Sequence, residues 1–341
     1  MLLGEVILLI IFLNWLSGNN RKHNILRYTN SEGDMSGILS SNGQRPKFKI
    51  GNLEMGGNPG ELATVLIGSI FYERDKTVED SAKGVFDKKR AQELIEKQSA
   101  ISEKTGNPHM VDVMGLTAEA MRNYIDFVAD LTDAPIVVDS TSAEAKISSI
   151  EYSKEIGLID RVVYNSITFY SKPEEIAAIK ETGVKSAIVL ASNPSNAWPI
   201  GRVKVLEGEA ENDGLIDIAQ NAGIQNILID AVAIDVPGIG ITAEAVKLIK
   251  ERFDYPAGAA PCNAVLEWKS VKELGDKARN INSASAAVIL QMVGADFILY
   301  GPIRMSEVIF PAVAMTDAVI AYAMRKHGSK PGKQHPLYKI F

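Results

Sequence analysis

From about residue 46 onward, short unbroken apolar runs alternate with longer stretches in which apolar residues recur every three or four positions. The runs cover residues 64–70, 109–113, 136–139, 161–165, 186–191, 226–230, 256–260 and 297–300. Continuous apolar runs of this length read as strands buried on both faces, the habit of parallel sheets. The stretches between them read as helices over residues 87–104 (Ala91, Leu94, Ile95 and Ile101 on one face), 117–132, from 142 onward, 173–181, 215–221, from Thr242 to about 252, around 284–293, and 306–324. Thr117 and Thr242 stand as N-caps, and Glu174 and Glu175 suit the positive first turn of their helix. A β-hairpin arm over 47–53, turned by the glycine-rich segment 56–60, precedes them. Eight strands in strict alternation with about eight helices predict an α/β fold, a closed (β/α)8 TIM barrel. The competing doubly wound open sheet asks for a glycine-rich first turn. The first turn here is Ser69-Ile70-Phe71-Tyr72-Glu73, without glycine, and Gly238-Ile239-Gly240 reads as a tight loop before a helix.

Several runs stop on a single Asp or Asn: the third on Asp139, the fourth on Asn165, the sixth on Asp230, while Asn263 follows the seventh. In a barrel the carboxyl ends of the strands converge on one mouth, where active sites are built. Two carboxylates and two carboxamides there make a polar cup suited to a flat, hydrogen-bonding heterocycle. The Asp139 carboxylate can accept two hydrogen bonds from an amidine-like edge such as a pterin presents; the alternative is a helix cap. Asn165 can donate and accept, and Asp230 supplies the second carboxylate; a loop role is the alternative for each. Asn263 is a poor base, yet its amide can donate a bond that strengthens as charge develops, which makes it the candidate catalytic residue. Cys262 has no evident histidine partner and reads as a buried small hydrophobe. His109 reads as structural. Trp198 and the loop 193–201 read equally as a ligand cover, a partner surface or a plain loop.

The chain of 341 residues is 46% apolar and carries a net charge of −6 without a basic block in the folded region, which argues against nucleic acid as a partner. One cysteine and four histidines, none spaced for a helical metal site, predict no bound metal. The single thiol points to a reducing compartment, hence a cytoplasmic protein. Residues 1–45 form an N-terminal extension ahead of one barrel domain over 46–341. Its apolar run, 6–13, is short of the roughly 20 residues that a spanning helix needs. The reading favoured is a disordered or non-native leader ending before Met35; the alternative is an export or membrane element, the only route to membrane contact other than through a complex.

The stretches Gly57-Asn58-Pro59-Gly60-Glu61, Gly84-Val85-Phe86-Asp87, Thr105-Gly106-Asn107-Pro108, Val138-Asp139-Ser140-Thr141, Tyr164-Asn165-Ser166, Leu299-Tyr300-Gly301-Pro302 and Phe310-Pro311-Ala312-Val313-Ala314-Met315-Thr316-Asp317, with the His335-Pro336-Leu337 tail, carry a resemblance. From about Lys47 to the end, the chain resembles the H subunit of tetrahydromethanopterin S-methyltransferase and its corrinoid-linked relatives. The resemblance implies a barrel that moves a methyl group between a cobalt corrinoid (cobalamin) and N5 of a tetrahydropterin. It implies that Asp139, Asn165 and Asp230 hold the pterin ring and that Asn263 contacts N5. It also implies a homodimer. The segment 192–208 and the exit Ala260-Pro261-Cys262-Asn263 depart from the methanogen pattern, which tilts the expected pterin toward tetrahydrofolate, with tetrahydromethanopterin as the alternative. The chain carries no Asp-x-His-x-x-Gly corrinoid signature, so the corrinoid is expected on a separate partner protein. Two rivals remain: dihydropteroate synthase, which needs a basic anion site not evident after strands seven and eight, and a non-catalytic scaffold within a methyltransferase complex.

Overall fold

The computed structural model describes residues 44–209 and 212–340; the run 6–13 and the start at Met35 lie outside the described residues. Eight strands, β1 (Val65–Ile70), β2 (His109–Met114), β3 (Ile136–Asp139), β4 (Val162–Ile167), β5 (Ser186–Leu190), β6 (Asn226–Asp230), β7 (Ala257–Ala259) and β8 (Phe297–Pro302), form a closed parallel barrel in sequence order. The helices are α1 (Lys88–Thr105), α2 (Ala118–Leu131), α3 (Ala143–Glu155), α4 (Pro173–Thr182), α5 (Pro199–Glu207), α6 (Leu215–Asn221), α7 (Gly238–Arg252), α8 (Pro261–Glu267), α9 (Lys269–Glu273), α10 (Gly275–Met292), α11 (Ser306–Met324) and the short α12 (Pro336–Lys339). The expected barrel is therefore the observed one.

Strand alternation divides the apolar residues into two cores. Val65, Ile67, Met110, Val137, Val163, Ile188, Leu228, Phe297 and Leu299 fill the lumen. Their neighbours Leu66, Val111, Ile136, Val138, Val162, Ala187, Ile229 and Ile298 face the helices. Fully burying a side chain of this size contributes about 1.5–3 kcal/mol. The hairpin Lys47–Ile50 with Leu53–Gly56 adds Ile50, Leu53 and Met55 to the lumen cluster and closes the amino-terminal end. At that same end, Asp317 of α11 accepts from the Thr64 amide (3.0 Å), the Thr64 hydroxyl (2.9 Å) and Asn107 Nδ2 (2.6 Å). This buried cluster ties α11 to the loops entering β1 and β2.

Three local expectations are corrected. The hairpin turns at Gly51-Asn52, where Gly51 takes φ +57°, and residues 53–56 are its second strand. Thr242 lies inside α7 and donates to the carbonyls of Val232 (2.7 Å) and Gly238 (3.0 Å). The Asp235 carboxylate instead accepts from the Gly238 amide at 2.7 Å, so the helix starts a turn earlier. The segment between β7 and the helix expected around 284–293, a long connection by its sequence, is helical from Pro261, since proline suits a first helical position.

Candidate active site

The alternation that turns Met110, Val137, Val163 and Leu228 into the lumen also turns inward the residues two positions further on: Asp112, Asp139, Asn165 and Asp230. Parallel register aligns them across neighbouring strands: Asp139 pairs with Asn165, and Ser69 with Asp112. The peptide joining Asn165 to Ser166 is cis. Three of the four residues expected from the sequence thus meet at the carboxyl end of the lumen. The fourth, Asn263, stands on the rim in the first turn of α8 and is exposed. Its Oδ1 leans over Gly301 at the end of β8, where a Cβ would lie 2.7 Å away.

Asp112 is the residue that the sequence reading missed. It is 2% exposed, and its Oδ2 accepts from the Ser69 hydroxyl at 2.6 Å. The available signal was a carboxylate inside an apolar strand, two positions from a lumen residue.

The acids are held in a poorly solvated space. Burial pushes Asp139 up to about 6, opposed by the Lys146 charge and the Ser140 amide. Burial pushes Asp230 up to about 6, against the Val232 amide and Arg202, while the charge of Asp139 adds to the rise. Burial, reinforced by Asp139, drives Asp112 well above the ordinary carboxylate range.

Both cations behind the cup are already engaged. Lys146 of α3 lies 2.6 Å from Glu175 and 5.0 Å from the Tyr164 ring centre, and the Tyr164 hydroxyl donates to Glu175 at 2.5 Å. Arg202 of α5 donates to the carbonyls of Ala197 (2.9 Å), Val232 (2.7 Å) and Ala231. These cations tune the acids from behind and leave the cup rich in acceptors. Cys262 is fully buried and its thiol is pushed up to about 12 by burial, which removes it as a nucleophile. His109 sits 3.3 Å from Ser99, and burial lowers it to about 4. Around the mouth, Leu116, Phe169, Tyr170, Trp198 and Ile234 are exposed on the loops after β2, β4, β5 and β6, and Ile200 is exposed in the first turn of α5.

A closed barrel with acids and a carboxamide converging at its mouth defines a TIM-barrel protein with a polar, acceptor-rich cup. Solved structures of dihydropteroate synthase share this fold. The Yersinia pestis enzyme with a pterine-sulfa conjugate covers 80% of this chain and 99% of its own, with a TM-score of 0.53 at 14% identity. The Xanthomonas albilineans enzyme covers 81% and 98%, with a TM-score of 0.52 at 16% identity. Residues 44–331 match the family described as tetrahydromethanopterin S-methyltransferase MtrH subunit, and the chain belongs to that methyltransferase family. The H subunit of tetrahydromethanopterin S-methyltransferase from Methanopyrus kandleri is 41% identical over 304 residues, covering 84% of this chain and 94% of its own. The Methanothermobacter thermautotrophicus counterpart is 38% identical over 297 residues, covering 85% and 96%.

Proposed function

We propose that this barrel transfers a methyl group between a methylated corrinoid held on a separate protein and N5 of a tetrahydropterin, with tetrahydromethanopterin as the pterin. The observation that carries this reading is the convergence of Asp139, Asn165 and Asp230 in the lumen beneath Asn263 on the rim. The relatives are named for tetrahydromethanopterin, and this ranks it above the tetrahydrofolate expected from the sequence. Membership of a methyltransferase family, together with the assembled cup, weighs against a scaffold role.

When docked, the corrinoid supplies a cobalt-bound methyl carbon as electrophile. N5 attacks that carbon in line and loses its proton, and the bonding pair stays with cobalt; the reverse direction uses the same atoms. The chain's own task is to hold the ring so that N5 faces the mouth. Asp139 and Asp230 accept from the ring's N–H edge, Asn165 matches a mixed edge, and the Asn263 amide follows the changing basicity of N5. The apolar collar that includes Phe169, Tyr170 and Trp198 borders this opening. It supports docking of the corrinoid protein there, because a methyl carbon must come within about 3–3.5 Å of N5.

A homodimer is part of the same reading. Along α11, the exposed positions between Glu307 and Arg325 are Pro311, Met315, Val319, Tyr322 and Ala323, all apolar. The adjoining α10 exposes Ile281, Ser285 and Ile289 and carries no charge from Asn280 to Met292. Two neighbouring helices of this length present on the order of 500 Å², approaching the roughly 800 Å² per partner of a stable interface. An uncharged face meets its own copy without like-charge repulsion. The reduced cobalt left after transfer supports a reducing, cytoplasmic setting.

The test is spectroscopic. Methylcobalamin is mixed with tetrahydromethanopterin or with tetrahydrofolate, and the appearance of cob(I)alamin is followed. Faster release with tetrahydromethanopterin is expected. Turnover with neither pterin, in protein that also fails to bind either, would overturn the reading.

A further inference from the structure

Among the described residues, the lumen holds a buried acid that the reading above does not use. Asp112 Oδ2 accepts from Ser69, and its Oδ1 has no hydrogen-bond partner among the described residues. Among those residues no cation forms an ion pair with it: Lys146 is committed to Glu175, and Arg202 to backbone carbonyls. A buried carboxylate charge compensated by one hydroxyl alone is costly, and a like charge nearby raises that cost further. A carboxyl group in this position keeps its proton.

We propose that Asp112 is a further ligand-holding residue of the cup, a neutral acid whose O–H donates from the β2 wall to an acceptor atom of the bound pterin. This rests on the pterin reading above. The accounting of donors and acceptors favours it. Asp139 and Asp230 can only accept when ionised, and both nearby cations are tied elsewhere. A pterin presents N–H donors along its amidine edge and acceptors at its ring carbonyl and ring nitrogens. The carboxamides apart, a cup of ionised acids would leave those acceptors facing acceptors. A protonated Asp112 supplies the missing donor. The charged group that sets its state is Asp139 on the neighbouring β3, itself held down by Lys146; Asp230 stands on β6 and interacts with Asp139 and Arg202. From β1 it meets only the Ser69 hydroxyl. Burial and Asp139 hold the Asp112 carboxyl well above its usual range, in accord with the geometry.

Two variants separate the roles. Asp112→Asn keeps the shape and an N–H donor, whereas Asp112→Leu keeps neither. Infrared spectra of ligand-free protein near neutral pH should show a protonated-carboxyl stretch that is lost in Asp112→Asn. Titration with tetrahydromethanopterin, followed by fluorescence, should show affinity within about threefold of wild type for Asn and a loss of about tenfold for Leu. In wild type, affinity should also fall at alkaline pH as Asp112 ionises; in Asp112→Asn it should not. Absence of the infrared band, or equal affinity in the two variants, overturns the proposal. If Asp112→Leu does not fold, the band and the pH profile of Asp112→Asn decide. Wild-type protein that binds no tetrahydropterin sinks the functional reading itself, and the proposal with it; wild-type binding with indistinguishable variants sinks the proposal alone.

Discussion

Asn263 and Gly301 compete for one small space: a Cβ on Gly301 would lie 2.7 Å from Asn263 Oδ1, and Gly301 takes φ +75°. The bare backbone at the end of β8 therefore sets where the rim carboxamide rests. Gly301→Ala should push that amide aside and cost about 1–3 kcal/mol through backbone strain. Turnover should fall more than pterin affinity, as is also expected of Asn263→Ala, which removes the amide placed at N5. Single-turnover rates alongside binding titrations check this. Full turnover in Asn263→Ala would remove the residue from the transfer step.

Asp139→Ala should act in the opposite sense, on affinity before rate. Hydrogen bonds to a charged carboxylate contribute about 1.5–3 kcal/mol, so tetrahydropterin binding should weaken by roughly ten- to a hundredfold. Thermal unfolding should change little, because removing a buried, raised-pKa acid also removes a desolvation cost. A variant that binds normally but unfolds early would make Asp139 a structural residue.

The strand ends were legible because a lone Asp or Asn closing an apolar run stands out, and barrel topology then brings such ends together. Asp112 stayed hidden since Val111 and Val113 flank it and the strand continues past it; only the question of which face it takes reveals it. The start of α7 was misplaced for a related reason. Gly238-Ile239-Gly240 looks like a loop, but Asp235 caps it and the glycines enter the helix. The seven residues of α8 are too few to display a period. Lys146 and Arg202, which tune the acids from behind, lie in helices and are joined to the cup only by packing, which no local pattern records.

Lys146→Met should move the pH dependence of binding. Lys146 lowers Asp139 toward its value of about 6, so its loss raises that value further. Binding that needs ionised Asp139 should then begin at higher pH than in wild type. The change also strips Glu175 of its 2.6 Å ammonium partner, and breaking a buried pair costs about 3–5 kcal/mol. Affinity measured across pH tests the coupling; an unmoved acid limb would show that Lys146 serves Glu175 alone.

Asp230 offers a sign-specific stability test. Its folded value of about 6 exceeds the ordinary 3.8, so the native state binds the proton more tightly than the unfolded chain. Its contribution is fully present below about pH 4 and is lost as pH rises through about 6. Asp230→Asn keeps an oxygen for the Val232 amide, which lies 2.7 Å away in wild type, and cannot ionise. Between about pH 3 and pH 8 the variant should gain stability relative to wild type, on the order of 3 kcal/mol, with about half of the gain falling above pH 5. The buried histidines, His109 and His335, titrate with the opposite sign, but they are common to both proteins and cancel in the comparison. A difference that is flat with pH, measured by denaturant unfolding, would contradict the burial argument.

The charge-free face of α10 and α11 makes the final prediction. Outward positions on a helix facing water are ordinarily charged, as on α1, where Lys88, Lys89, Arg90, Glu93 and Glu96 are exposed. Met315 and Val319 of α11 and Ile289 of α10 are instead 53%, 55% and 46% exposed in the single chain. Placing Glu at 315 and at 289 should convert a dimer into a monomer, because two-fold pairing would bring each new carboxylate into an apolar interface facing its copy. Each change lies on an exposed position, so the barrel should keep its unfolding temperature apart from the share contributed by dimerisation. Sedimentation equilibrium of wild type and Met315→Glu/Ile289→Glu decides the matter. A wild-type protein that stays monomeric at micromolar concentration while binding lipid vesicles would assign the face to a membrane surface. A dimer that survives both substitutions would place the contact elsewhere on the barrel.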